Sequence, residues 1–308
     1  MERPDLIRMG SAGWSYPDWD GIVYPEKRDR RFDPLAWLAA FLDAVEINAS
    51  FYRIPTAAAS AGWALRTAPF ERFVFTAKLW RGFTHDATPE RELREAETAF
   101  RLAMEPLRDA GKLRAILLQF PYSFHDTAAN RERLSGLSDR FGDFGIVVEV
   151  RHASWLAGDF LPFLRKRGIS FCNLDQPAIS ANILPSGHVT APLAYVRLHG
   201  RNAAAWFEEG AGRDRRYDYL YSAEELAEWA HRIRRLAADA GDVMVIANNH
   251  FGGQAVTNAL ELRSMIESTT VKAPPGILSA FPRLADRALS WIPESPGRAG
   301  SQGAFPFK

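Results

Sequence analysis

The sequence predicts a parallel (β/α)8 barrel of the TIM type, and three observations carry that expectation. Eight short apolar runs occur, most of them followed by a helical pattern, nearly every run ends in polar or charged residues spaced two apart, and composition does not break before about residue 272. The runs fall at residues 7–13, 45–50, 73–79, 115–120, 145–152, 170–175, 194–200 and 243–249. Right-handed strand–helix–strand units in such a series either close into a barrel or spread as an open sheet, and eight strands is the number that closes. Side chains alternate faces along a strand, so Glu46/Asn48/Ser50, Glu149/Arg151, Asn173/Asp175, Arg197/His199 and Asn248/His250 each share a face. At the carboxyl end of a parallel barrel that face is expected to open on the active site.

Each element has its own signal. After the first run comes a long connection, 14–32, and then Asp33-Pro34, a cap followed by proline at the first helical position, predicts a helix over 34–42. A helical pattern covers 56–68, and Thr88-Pro89-Glu90 opens another over 89–110. Helices over 128–140 and 157–167 follow the fourth and fifth runs, whereas 176–192 carries no helical pattern. A second long connection, 201–221, precedes Ser222-Ala-Glu-Glu225, the signature of a capping box. Beyond it Leu226, Trp229, Ile233 and Leu236 recur at three or four residues, the stripe of a helix packed on a sheet over 223–240. The last helix is expected over 253–268. Long connections at strand ends in a compact domain point to function. Residues 1–272 thus read as one barrel domain and 273–308, rich in Pro, Gly and Ser, as a C-terminal extension that ends in disorder after Pro293.

Composition narrows the function classes. A chain of 308 residues with 47% hydrophobic and 24% charged content is ordinary for a globular protein, and a net charge of +1 supplies no overall field toward nucleic acid or membrane. The single cysteine, Cys172, sits within an apolar run, so it reads as a packing residue, no internal disulfide is possible, and a reducing cytoplasm is expected. Residues 1–9 carry charges without an apolar core, and no stretch reaches the roughly 18 apolar residues of a membrane span, so neither export nor insertion is expected.

The candidate chemistry lies at the strand ends. The fifth, Val147-Val-Glu-Val-Arg-His-Ala-Ser-Trp155, places Glu149, Arg151, His152 and Trp155 after an apolar run. Burying charge there is costly unless the groups are paired or face a wet cleft, so the alternatives are a structural Glu149–Arg151 network and a catalytic one. The second, Glu46-Ile-Asn-Ala-Ser-Phe-Tyr52, supplies a second carboxylate with Asn48 and Tyr52. Two carboxylates across a pocket suit acid/base work if their environments push their pKa values apart, and the equal alternative is a Glu46 that only orients Lys78 or an arginine. Lys78 and Gln119 end the third and fourth runs and are suited to holding an anionic or carbonyl oxygen. Arg197 and Arg201 add positive charge after the seventh.

Glu149, Asp175, His199 and His250 form the one conceivable metal set, but no close-spaced ligand pair exists and Lys78, Arg151, Arg197 and Arg201 would crowd a cation, so no metal or other cofactor is expected. His85, His125 and His188 read as hydrogen-bonding loop residues. Asn248-Asn249-His250-Phe-Gly-Gly253 leads into a helix whose N-terminus is able to meet an anion, or is an ordinary tight turn. Both long connections carry cations, Lys27-Arg-Asp-Arg-Arg31 and Arg213-Asp-Arg-Arg216, with Trp14, Tyr16, Trp19, Trp80, Trp155 and Trp206 near the expected rim. Cations with aromatics suit sugars, phosphates or nucleotides, while solvated loops over core aromatics are the plain alternative.

Taken in order, Gly10-Ser-Ala-Gly-Trp-Ser-Tyr16 with Trp19 and Tyr24-Pro25, then Glu46-Ile-Asn-Ala-Ser-Phe-Tyr52, Gln119-Phe-Pro121, Glu149-Val-Arg-His-Ala-Ser-Trp155, Tyr195-Val-Arg-Leu-His-Gly200 and Asn248-Asn-His250 resemble the domain of unknown function 72 family, also called YecE-like. The resemblance spans residues 7–267 and implies a TIM-type barrel but no particular reaction. Lys78 and Asp175 also match that family's pattern, whereas 201–221 and the tail after Lys272 lie outside it.

The leading functional expectation is an enzyme that binds a polar, phosphate- or sugar-bearing compound at the barrel mouth. Glu149 or Glu46 would be its acid/base, His199 and His250 further catalytic candidates, and Lys78, Arg151 and Arg197 would meet developing negative charge. Asn48, Tyr52, Gln119, His152, Trp155, Asp175, Arg201, Asn248, Asn249, Trp14 and Tyr16 are the expected binding residues. Two alternatives stand beside it: a nucleic-acid-binding or nucleic-acid-processing protein that grips backbone through the basic loops, and a metabolite-binding protein without catalysis.

Overall fold

The computed structural model describes residues 4–179, 181–206 and 213–293. Eight parallel strands close in sequence order into a barrel: β1 (Ile7–Ala12), β2 (Ala44–Ile47), β3 (Val74–Lys78), β4 (Leu113–Gln119), β5 (Ile146–Glu149), β6 (Ser170–Asp175), β7 (Leu193–Leu198) and β8 (Asp242–Ala247). Each overlaps one of the expected apolar runs. The second strand ends earlier than its run does, because the backbone at Asn48 turns into a short helix, Ala49–Tyr52. Ser50 therefore leaves the sheet, and its hydroxyl donates to the carbonyls of Ile47 and Lys78 rather than sharing the face of Glu46.

Helices Pro34–Ala39, Ala57–Thr67, Glu90–Asp109, Ala128–Phe141, Phe160–Arg167, Ala223–Asp239 and Gln254–Glu267 occupy the expected crossovers. Asp33 caps the first by accepting from the amides of Leu35 and Ala36, and Ser222 and Glu225 form the reciprocal box at the start of Ala223–Asp239. Thr88 is one residue too early to cap Glu90–Asp109, whose N-cap is Pro89. No helix forms among the described residues of 176–192.

Two apolar layers hold the barrel. Its interior is filled by residues such as Val74, Leu117, Val147, Cys172, Leu174, Tyr195, Met244 and Ile246, while the outer layer between strands and helices contains Trp19, Phe100, Phe141, Trp155 and Trp229. Each buried phenylalanine contributes roughly 1.5–3 kcal/mol through the apolar area it withdraws from water. At Gly10 a Cβ atom would lie 2.5 Å from the Ala44 carbonyl oxygen, so β1 and β2 approach as closely as they do only because that position is glycine.

The seam where β1 meets β8 is bridged at its lower end by the ion pair of Arg8 with Asp242, a carboxylate that Arg114 of β4 also reaches. At its upper end the Trp19 indole donates to the His250 carbonyl at 2.8 Å. A parallel pair, β9 (Val271–Ala273) with β10 (Ala288–Ser290), follows the last barrel helix, and Ile277 and Leu284 between them are buried. The expected disorder beyond Pro293 concerns residues outside those described. No helix of the described residues is long and apolar enough to cross a membrane.

Candidate functional site

Strand parity decides which polar side chains reach the mouth. β2 turns Ala44 and Glu46 inward, β3 Val74, Thr76 and Lys78, β5 Val147 and Glu149, and β7 Tyr195 and Arg197. At the centre Arg197, 1% exposed, spans two fully buried carboxylates: Nη2 donates to Glu46 Oε1 at 2.6 Å and Nη1 to Glu149 Oε2. Nη1 also donates to Gln119 Oε1 at 3.1 Å. Below them the Tyr195 hydroxyl donates to Glu46 Oε2 at 2.9 Å and lies 2.8 Å from the Thr76 hydroxyl. Arg151 closes the chain toward solvent, its Nε and Nη2 donating to Glu149 Oε1 at 3.1 and 3.0 Å.

This network sets the charge states. Burial alone would push the Glu149 carboxyl up, but the guanidinium of Arg197, joined by His199 and Arg151, outweighs it and holds the group well below the usual carboxylate range. Glu149 is thus kept ionised, which suits a base or an electrostatic partner and not the acid. Asn248 Nδ2 donates to His199 Nδ1 at 2.8 Å, which puts the ring proton of the neutral imidazole on Nε2, 3.4 Å from Glu149 Oε1. Burial lowers the His199 pKa to about 3, so this ring stays neutral at physiological pH.

Lys78 stands apart. It is 8% exposed, and among the described residues no carboxylate lies within 4.0 Å of its ammonium, which sits 4.3 Å from the centroid of the Phe51 ring. Burial, then the charge of Arg197, lowers its pKa to about 7 against the opposing pull of Glu46 and Glu149. One step past the last β2–β3 register pair, Ile47 with Ala77, comes Asn48, whose buried Oδ1 has no hydrogen-bond partner among the described residues. His85, just beyond the turn Arg81–Thr84, feels the charges of Lys78, Arg151 and Arg81 and is driven by burial and these cations to a pKa of about 4.

Around the rim, Tyr52 is 60% exposed, and His152 stacks on His125 with ring centroids 3.9 Å apart, Tyr122 standing edge-on to it. Trp14 is half-buried against Trp63. The His250 ring stacks on Tyr16 at 4.3 Å and faces Tyr217, which in turn lies 6.3 Å from His199. It therefore reaches the His199 side of the mouth through Tyr217 rather than joining the glutamate–arginine cluster.

Several expected binding residues turn out to be structural. β6 fills the interior with Cys172 and Leu174, so Asn173 and Asp175 point outward into the helix layer. There Asp175 accepts from Arg201 at Nε (2.9 Å) and Nη2 (2.7 Å) and from the Trp229 indole, and Arg201 Nη1 reaches Glu225 at 2.8 Å. Asp175 and Arg201 are a clamp on the helix Ala223–Asp239 and not part of the mouth. Asn249 likewise faces out, donating to the Tyr219 carbonyl and to Asn258 Oδ1, both at 2.8 Å. Trp155 is buried against Phe124 and Phe160 with its indole donating to the Phe124 carbonyl. Tyr16 and Trp19 are core as well.

With Asp175 outside, the quartet Glu149, Asp175, His199 and His250 does not converge. The anion site expected at Gly252-Gly253 is filled from within, since the Gly252 amide donates to Asp18 Oδ2 at 2.6 Å. Of the basic loops, Arg28 folds back on the Tyr24 and Phe32 rings and pairs with Asp20, while the side chains of Trp206, Arg213 and Asp214 lie outside the described residues. The inward Tyr195 and Thr76, together with Phe51 and His85, are site residues that sequence reasoning missed. Tyr195 and Thr76 were legible in principle, being two positions before Arg197 and Lys78 on the same face.

The family model described as "Protein of unknown function DUF72" matches residues 8–280. The UPF0759 protein YunF of Bacillus subtilis (strain 168) is 30% identical over 288 residues, which is 90% of this chain and all of that protein. Among solved structures, a DUF72 family protein from Thermotoga maritima is 32% identical with a TM-score of 0.74, over 85% of this chain and 99% of its own. One from Enterococcus faecalis is 31% identical with a TM-score of 0.73, over 85% and 96%. Eight strands closed around this mouth, the family match over most of the chain and full-length relatives of the same kind together make the protein a member of the DUF72 family.

Proposed function

We propose that the barrel mouth is an active site for a small, oxygen-rich anionic compound, a phosphate, a sugar phosphate or a carboxylate. The observation that carries this reading is the buried charge cluster: three cations, Lys78, Arg151 and Arg197, face two carboxylates, Glu46 and Glu149, at the open end of the barrel. Removing ionisable groups from water costs several kcal/mol each unless they are paired, and among the described residues the buried Lys78 has no carboxylate within 4.0 Å of its ammonium. An anionic ligand supplies the missing charge. Arg151, at the solvent side, is the group that meets it, while Glu46 and Glu149 fix the plane of Arg197. Lys78, poised near neutrality, is the proton carrier, and Glu149, held ionised, accepts but does not supply a proton.

A small molecule fits better than a nucleic-acid strand. Tyr16, Trp19 and Trp155, which a strand would need as stacking surfaces, are committed to packing. The test is ligand-dependent thermal stability with phosphate, sulfate, simple carboxylates and sugar phosphates. An anion at about 100 times its Kd adds about 2.7 kcal/mol, and Arg151→Met should abolish that gain. If no such anion stabilises the wild type, or if Arg151→Met responds undiminished, the mouth is not an anion site.

A further inference from the structure

We infer that Lys78 is an amine nucleophile that forms a covalent imine with a carbonyl compound carrying an anionic group. This rests on the reading of the mouth as an anion-binding active site and specifies its substrate class. A lysine kept only for structure is normally found with its ammonium on a carboxylate or extended into water. Lys78 is nearly buried, lies against the face of Phe51, and has no carboxylate within 4.0 Å among the described residues. The charged groups that face it are Arg197 from β7, Arg151 after β5, and the two glutamates already bound to those arginines, with His85 beyond them. A desolvated amine crowded by cations is the setting in which nitrogen keeps its lone pair at neutral pH.

Two further features suit addition to a carbonyl rather than proton transfer alone. Asn48 Oδ1, buried without a partner among the described residues one position beyond the Ile47–Ala77 register pair that precedes Lys78, is an acceptor available to the hydroxyl that such an addition creates. Arg151 is placed to hold the anionic group of the same molecule. In the reaction the Nζ lone pair attacks the carbonyl carbon while the C=O π electrons move onto oxygen. A proton passes from nitrogen to that oxygen, giving the carbinolamine. The hydroxyl then takes a second proton and leaves as water as the nitrogen lone pair forms the C=N bond, so amine, carbonyl compound and one proton yield an iminium ion and water.

The experiment is borohydride trapping of the whole protein at neutral pH with pyruvate, dihydroxyacetone phosphate and, as an uncharged control, acetone. The sequence has lysines at 27, 78, 112, 166, 272 and 308, so peptide mapping assigns every adduct. The expected result is a single reduced adduct on Lys78 with the carboxylate probe, the phosphate probe or both. It should form on the order of tenfold or more faster than any other lysine, because so much more of Lys78 is the free amine. It should be lost in Lys78→Arg and weakened by Arg151→Met, and acetone should label poorly. The two charged probes separate a keto acid from a sugar phosphate. Adducts spread evenly over the lysines, or none on Lys78 with either charged probe, overturn the inference. If the same anions still raise the melting temperature in that case, the anion-binding site survives, and if they do not, both readings fall together.

Discussion

Replacing Arg197 by methionine keeps much of the side-chain volume and removes the cation between Glu46 and Glu149. Both carboxylates are fully buried; afterwards Glu149 retains Arg151, while Glu46 is left with the Tyr195 hydroxyl. Deleting one partner of a buried ion pair costs about 3–5 kcal/mol, a large share of the roughly 5–15 kcal/mol that holds a typical protein folded. In a chain of this length that corresponds to a fall in Tm of about 5–10 °C. The pH dependence should also reverse. In the wild type the Glu149 pKa is depressed, so its pairing stabilises the fold above the ordinary value of 4.5 and is lost as pH falls through the lower, folded value. Without Arg197 the largest pull opposing burial at Glu149 is gone, its folded carboxyl moves up past the unfolded value, and stability is lost as pH rises through the raised value. Melts followed by circular dichroism from about pH 8 to about pH 5 should show the variant recovering toward wild type in acid, and Glu46→Gln should restore part of the loss at neutral pH. A variant within about 2 °C of wild type at neutral pH, or one that falls further behind on acidification, refutes the idea that Arg197 neutralises two buried carboxylates.

Other predictions concern residues that geometry removed from the site. Trp155→Ala should cost about 3–5 kcal/mol in urea denaturation and leave the anion-induced shift in Tm intact, since its indole is wrapped by Phe124 and Phe160. Asp175→Asn should cost about 2–3 kcal/mol by loosening Arg201 and Trp229. It too should bind anions normally, and a loss of anion response equal to that of Arg151→Met would put Asp175 back at the mouth.

The barrel was legible because its signals are local and repeated: apolar runs, caps such as Asp33 and Ser222, and a helix stripe through Trp229. The central cluster was legible because period-two spacing puts Arg197 on the face of Tyr195 and Glu149 on that of Val147. Parity relative to the barrel axis was harder. Asn173 and Asp175 carry the same two-apart spacing as Glu149 and Arg151, yet point the other way, because whether an odd or even residue faces inward depends on the shear between neighbouring strands. Cys172 and Leu174 are just as apolar as the outward Phe171, so composition left β6 undecided. Asp18 filling the amide of Gly252 joins residues 234 positions apart, a contact for which no local pattern exists.

The β1–β8 seam bears on how the polypeptide survives its own synthesis. Until β8 has left the ribosome, β1 exposes an unpaired backbone edge of the kind that recruits other strands. During that interval Arg8, later neutralised by Asp242, is a charge near the start of the edge, and such a charge discourages sticking to a neighbouring nascent molecule. The same arginine that rivets the finished cylinder thus acts beforehand as its gatekeeper.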